Sequence, residues 1–254
     1  VYGVLLFQLL GMFLVVSAKH IMTIFIGIEL MYLPIYALVA LPKRSKLSLE
    51  AAIKYMVMGG LASALMLYGF SLLYAVTGHL ALDNIQQSLL ELVNNQGVGA
   101  IFTSYSTNSL LLTLAVVCLL AAMAFKFGTG PFFVWVPDVY QGSNTLMVAL
   151  VSSLPKLVLC VVWLRLFTKA LGPLLVLWQG PAIVLGALAM FIGSVFGLVQ
   201  TNIRRILAYS AVAHMGFILI GLSINDVTML HATFVYCMGS VSYTHLTLPT
   251  TWLV

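Results

Sequence analysis

Apolar runs of membrane-spanning length follow one another along almost the whole chain, and they constrain its fold more than any other feature. A spanning helix needs about 20 apolar residues, and roughly eight such segments with short links fit into the 254 residues at that length. Charged residues make up 7% of the chain, against about 25% in soluble domains. In lipid every backbone N–H and C=O has to be paired internally, so such segments become helices. The expected fold class is all-α, a polytopic transmembrane helix bundle forming one domain.

Helices are predicted at 2–18, 20–41, 48–77, 106–137, 145–168, 180–200, 203–222 and 226–240, each bounded by polar, Gly or Pro residues. The long polar interval, 78–105, carries Asp83, Asn84, Gln86, Gln87 and Glu91 and reads as an exposed loop with one amphipathic turn. The fourth segment is too long for a simple span and is interrupted by Gly128-Thr129-Gly130-Pro131, where it should break. Backbone freed at membrane depth is tolerated only where it is buried in protein or lines a wet cavity, and discontinuous helices mark ion paths in transporters for that reason. Lys126 lies just before the break, which would set a cation against the last carbonyls of the helix.

If each segment crosses once, the links carrying Lys43, Arg44, Lys46, Arg204 and Arg205 share one side with Asp138. The other side holds Lys19, Asp83, Glu91, Lys169 and Asp226, with Arg165 able to snorkel toward it, so the first side is expected to be cytoplasmic or matrix. The net charge of +5 is spread over these links and gives no reason to expect a nucleic-acid partner. Cys118, Cys160 and Cys237 lie singly in apolar segments, without the paired spacing of a metal site or redox motif, and read as packing residues. Lys19 precedes Glu29 by ten residues and Arg204 precedes His214 by ten, with the two basic residues on opposite sides, which is the pattern an inverted repeat would leave.

Four charged side chains, Glu29, Lys54, Lys126 and Lys156, fall inside these apolar segments. A charge at the bilayer centre costs roughly 2.5–3.5 kcal/mol on insertion scales, so it tends to face a bundle interior, find a partner and serve transport. Lys54 is only two turns from the basic link and could snorkel out. Burial and a nearby opposite charge push titration in opposite senses, so a movable Glu–Lys pair can hold and release a proton where an arginine could not. The competing reading is a set of static ion pairs, but one acid cannot pair three bases. His214 in its apolar helix has the ordinary titration range of a proton relay, although a lone helix histidine is more often a packing residue. Tyr32, Tyr36, Tyr55, Tyr68, Tyr74, Ser63 and Ser71 recur along the second and third helices and are as compatible with packing as with a water chain.

The stretch from Phe125 to Gly142, Phe-Lys-Phe-Gly-Thr-Gly-Pro-Phe-Phe-Val-Trp-Val-Pro-Asp-Val-Tyr-Gln-Gly, resembles the broken-helix signature of the antiporter-like subunits of respiratory complex I. Ile28-Glu29-Leu30, Leu154-Pro155-Lys156, the run Gln200 to Ser210 and His214-Met215-Gly216 follow in the order found in that family. Ser48 to Tyr55, Leu61 to Ala64 and Leu67 to Tyr74 resemble the N-type subunit, the mitochondrial subunit 2, over about residues 1–240. The resemblance implies a membrane subunit that translocates protons through Glu29, Lys54, Lys126, Lys156 and His214, with Gly128, Gly130 and Pro131 at the helix break. It further implies one complete helix repeat and part of an inverted second one. As an enzyme the chain would be a non-redox subunit of a proton-translocating NADH:quinone oxidoreductase, with no metal site and no cofactor of its own: there is no Cys cluster and no Gly-rich phosphate loop.

Expected partners are the other membrane subunits and the lipid bilayer, with quinone met only through the whole complex. The expected location is the bacterial inner (plasma) membrane, or the mitochondrial inner membrane if the chain is organellar. A cation/proton antiporter subunit, a hydrogenase membrane-arm subunit and a structural subunit without a proton path are the alternatives. Phe133 departs from the family pattern, which usually has His there. The chain starts in mid-helix at Val1 with no signal peptide and is expected to be an incomplete fragment, while 241–254 is expected to be a non-family, artefactual tail.

Overall fold

Polar side chains cap the starts of three long helices of this protein, and glycine in the left-handed region ends two of them. The computed structural model describes residues 2–40, 45–96 and 106–250. Lys43 and Arg44 of the basic link, and residues 251–254 of the expected tail, lie outside the described residues. The elements are α1 (Tyr2–Ser17), α2 (Ile21–Val39), α3 (Lys46–Thr77), α4 (Leu82–Gln96) and α5 (Thr107–Phe127), followed by a 3₁₀ turn at Gly130–Phe133 and α6 (Trp135–Gly142). Then come α7 (Thr145–Ser152), α8 (Leu154–Trp163), a π-helical segment at Leu164–Ala170, α9 (Leu175–Leu198), α10 (Ile203–Ser223) and α11 (Val227–Thr250). Among the described residues, six helical stretches are long and apolar enough to cross a membrane. No strand is present among the described residues; one isolated backbone bridge, His20 to Ala81, ties the α1–α2 link to the α3–α4 link.

Ser45 caps α3 and Ser106 caps α5, each accepting a hydrogen bond from the backbone three residues on, and Asn202 caps α10 by accepting from Arg204 N at 2.9 Å. Gly78 ends α3 in the left-handed region at φ +69°. Consecutive long helices pack as antiparallel neighbours, α1 on α2 and α9 on α10, while α3 packs on α5. Small residues allow the close approaches: a Cβ on Gly186 would stand 2.9 Å from the Gly216 carbonyl oxygen across the α9–α10 contact.

The structure departs from the sequence expectations in three places. The polar interval contains a 15-residue helix, α4, rather than a loop with one turn. Leu82, Ile85 and Leu89 recur along one face and are buried, so the helix packs sideways on the π segment while its polar face stays out. The predicted helix at 145–168 is divided at Ser152–Ser153, because Pro155 has no N–H to give and its ring would strike the preceding turn. Third, α11 continues as helix to Thr250, past the predicted end at 240.

The charged ends sort as the single-crossing topology requires. Lys169 Nζ meets Asp83 at 2.5 Å, and Arg165 donates to the carbonyls of Val15 and Val16 at the end of α1. At the opposite end Arg205 and Lys54 converge on Asp138 at 2.8 and 2.9 Å.

Candidate proton-transfer site

The break after α5 sits beside the buried end of Lys126. Gly128 and Gly130 adopt φ +70° and +59°, conformations that a side chain would strain, and Pro131 then opens the 3₁₀ turn. The carbonyls freed by the break are taken up locally. Ala124 O accepts from Thr129 N at 2.8 Å and from Thr129 Oγ1 at 3.2 Å, while Phe125 O accepts from Gly128 N at 3.0 Å and from the Trp135 indole at 3.1 Å. Lys126 therefore does not serve the helix terminus as expected, and its ammonium is turned across the bundle.

There it meets groups from two other helices. Lys126 Nζ donates to Ser63 Oγ at 3.0 Å, Ser63 donates in turn to Glu29, and the Lys126–Glu29 distance is 3.8 Å. The ammonium also lies 4.6 Å from the Tyr32 ring centroid. Lys126 is 2% exposed and Glu29 26%, so the base is sealed while the acid has one open flank. The pair is thus a three-member chain running acid, hydroxyl, base. Ser63 was one of several hydroxyls equally compatible with packing; its surroundings Gly59, Gly60, Ala62 and Ala64 are the sequence signal that could have selected it, since small residues let helices approach.

The other expected residues do not join this cluster. Lys54 is 47% exposed and pairs with Glu50 at 2.8 Å and Asp138 at 2.9 Å, beside a polar cavity of about 180 Å³ also lined by Arg205. Asp138 and Glu50 are the acids missing from the sequence count of one acid against three bases. Lys156 lies in the first turn of α8, just past the second break, and lines a small cavity with Phe127, Trp135 and Tyr140. His214 is half-buried on α10, its Nδ1 2.6 Å from Tyr236 Oη on α11, and it lies near enough to Lys156 to feel its charge. Phe133, at the position of the family's histidine, packs against Phe196 and Tyr209 with ring centroids 6.2 and 6.1 Å away. Cys160 and Cys237, apart in sequence, bring their sulfurs to 3.8 Å next to Lys156.

Tyr32, Tyr36 and Tyr55 are buried around the pair, with Tyr55 stacked on Trp135 at 4.4 Å. Tyr68 and Tyr74 are exposed on the outside of α3, away from the pair.

A bundle of apolar helices with a discontinuous helix and a buried acid–base pair beside the break defines a polytopic membrane protein. The sequence profile described as "NADH:quinone oxidoreductase/Mrp antiporter, TM" matches residues 18–248, and the chain belongs to that family. It is 43% identical over 221 residues to NADH-quinone oxidoreductase subunit N of Laribacter hongkongensis, covering 87% of this chain and 43% of the relative. The corresponding subunit of Neisseria gonorrhoeae is 42% identical over 219 residues, covering 86% of this chain and 43% of the relative. The chain thus spans less than half the length of the curated relatives it matches.

Among solved structures, a chain of respiratory complex I from Thermus thermophilus with bound aureothin superposes with a TM-score of 0.77 at 30% identity, over 98% of this chain and 50% of that one. The Mrp complex of Dietzia gives a TM-score of 0.81 at 20% identity, over 95% of this chain and 42% of that one, which is a likeness of fold.

Proposed function

We propose that this chain is part of the N-type membrane subunit of a proton-translocating NADH:quinone oxidoreductase, and that it moves protons through Glu29, Ser63 and Lys126 toward Lys156 and His214. The observation that carries this reading is the largely buried chain from Glu29 through Ser63 to Lys126, set beside a helix break where the carbonyls of Ala124 and Phe125 already have partners. An ammonium not needed by the backbone is held for another purpose. While Glu29 is near, it offsets the cost of burying that ammonium; a shift of α2 or α5 that parts them leaves the charge unpaired, and the proton departs. Lys54 belongs at the mouth, where the 180 Å³ polar cavity meets the exposed ion pairs.

In this reading the driving redox chemistry takes place in other subunits, and the chain holds no redox cofactor. Its partners are the other membrane subunits and lipid, in the bacterial inner membrane. The family also includes Mrp antiporters, so a cation/proton antiporter subunit is the second reading.

The test is Lys126→Ala in the full-length chain within the assembled complex, with proton pumping and NADH oxidation measured in vesicles. Loss of pumping with assembly intact is expected. Normal pumping in the assembled mutant would overturn the proposal, and sodium transport in its place would favour the antiporter reading.

A further inference from the structure

The Glu29–Lys126 pair and Lys156 belong to different helices, and no direct contact between them is formed among the described residues. Two buried tyrosines make contacts toward both: Tyr55, packed on Tyr32 and Trp135, and Tyr140, which lines a cavity with Lys156. Tyr55 Oη on α3 and Tyr140 Oη on α6 are both shut away from solvent; Tyr55 Oη has no hydrogen-bond partner among the described residues, and the hydroxyl near Tyr140 Oη is that of Ser152, in a geometry looser than a full hydrogen bond. Both residues are 2% exposed. Buried hydroxyls in native proteins are almost always paired, through a bound water where no protein group reaches.

The space for such a water adjoins Tyr140. The cavity lined by Lys156, Tyr140, Trp135, Phe127 and Ala211 offers about 10 Å³ to the centre of a water-sized sphere, which is close to the least that holds one water. Most of its wall is apolar; Lys156 and Tyr140 are the lining residues that carry an amine and a hydroxyl, and Ser152 lies beside Tyr140. Phe127, the residue after Lys126, forms part of the same wall.

On the side of the pair, the Tyr55 ring touches both neighbourhoods. It lies flat on Trp135 at 4.4 Å, and Trp135 lines the cavity. It stands edge-on to Tyr32 at 6.4 Å, and the Tyr32 ring carries the Lys126 ammonium.

We propose that the hydroxyls of Tyr55 and Tyr140, with a water in the cavity beside Lys156, form the proton link between the Glu29–Lys126 pair and Lys156. At each oxygen one O–H bond forms as another breaks, so the transfer needs no oxidant and leaves each hydroxyl as it began. The inference rests on the proton-translocating reading above and adds to it the identity of the intermediate groups.

The experiment uses the full-length chain in the assembled complex, in vesicles, with Tyr140→Phe and Tyr55→Phe, which keep the rings that pack and remove only the hydroxyls. Ala211→Val is the third variant; it fills the cavity and leaves both hydroxyls in place. Each is expected to slow proton pumping at least several-fold with assembly unchanged. The Phe variants are also expected to raise the solvent deuterium isotope effect on pumping, which a packing role for the hydroxyl would not do.

Wild-type pumping in Tyr140→Phe, with pumping blocked in Lys126→Ala, would overturn this inference and leave the proposed function standing. Wild-type pumping in Lys126→Ala would overturn the proposed function itself. If a Phe variant fails to assemble, Ala211→Val decides: pumping at the wild-type rate there overturns the link.

Discussion

Lys126 and Glu29 stand 3.8 Å apart as an ion pair and are bridged by a third group, the hydroxyl of Ser63, which receives a hydrogen bond from the ammonium at 3.0 Å and gives one to the carboxylate. The three residues come from α5, α2 and α3, so any relative motion of these helices changes the geometry of the pair.

Ser63→Ala removes that intermediary and leaves a buried ammonium short of one partner. A hydrogen bond to a charged group contributes about 1.5–3 kcal/mol, or roughly 10- to 100-fold. Pumping in vesicles is expected to fall by at least the lower factor with assembly intact, and Ser63→Thr, which keeps the hydroxyl, is expected to restore most of it. A wild-type rate in Ser63→Ala would remove the serine from the path.

Gly128→Ala introduces a side chain at φ +70° and places its Cβ 2.7 Å from Val136 Cγ2. A left-handed backbone at a non-glycine residue costs roughly 1–3 kcal/mol. The variant complex is expected to melt at a lower temperature in detergent. An unchanged melting temperature would mean that the break relaxes without strain.

Asp138 accepts from both Arg205 and Lys54, joining α6 to α10 and α3 at one end of the bundle. Its side chain is 24% exposed and that of Arg205 35%, so solvent screens the pair and its coupling is expected to stay below about 1 kcal/mol. A double-mutant cycle with Asp138→Asn and Arg205→Gln, read by thermal stability, should show this coupling shrinking as salt is raised. Coupling indifferent to salt would contradict the exposed geometry.

At the other end Lys169 holds the Asp83 carboxyl below its usual titration range, chiefly through their hydrogen bond. A depressed carboxyl contributes stability that is fully present above its unfolded value, near pH 4, and that is lost as pH falls through the lower folded value. Asp83→Asn is therefore expected to flatten the acid limb of the stability profile below about pH 4, leaving the shape of the profile above it unchanged. A steeper acid limb in the variant would reverse the assignment.

The spanning helices and the break at Gly128-Thr129-Gly130-Pro131 were legible because each depends on local chemistry: apolar length in the first case, positive φ and a missing N–H in the second. α4 was hidden because its average is polar; the apolar spacing of Leu82, Ile85 and Leu89 has meaning only once there is something for that face to pack on. Pro155 was visible in the sequence, but the hydropathy around it is so high that the segment reads as continuous, and the break at Ser153 shows only in the backbone.

The sequence by itself determined that this is a membrane-spanning helical protein, that one helix is interrupted, and that Glu29, Lys126 and Lys156 carry costly charges within it. Tertiary structure alone decided which of them meet. Ser63 lies 34 residues from Glu29 and 63 from Lys126, so their convergence depends on how α2, α3 and α5 pack, a matter of side-chain shape across helices. Packing likewise directs Lys54 outward to Asp138 and turns Lys126 inward. In an apolar solvent a charge is drawn to the nearest compensating group, and which group is nearest is a property of the fold.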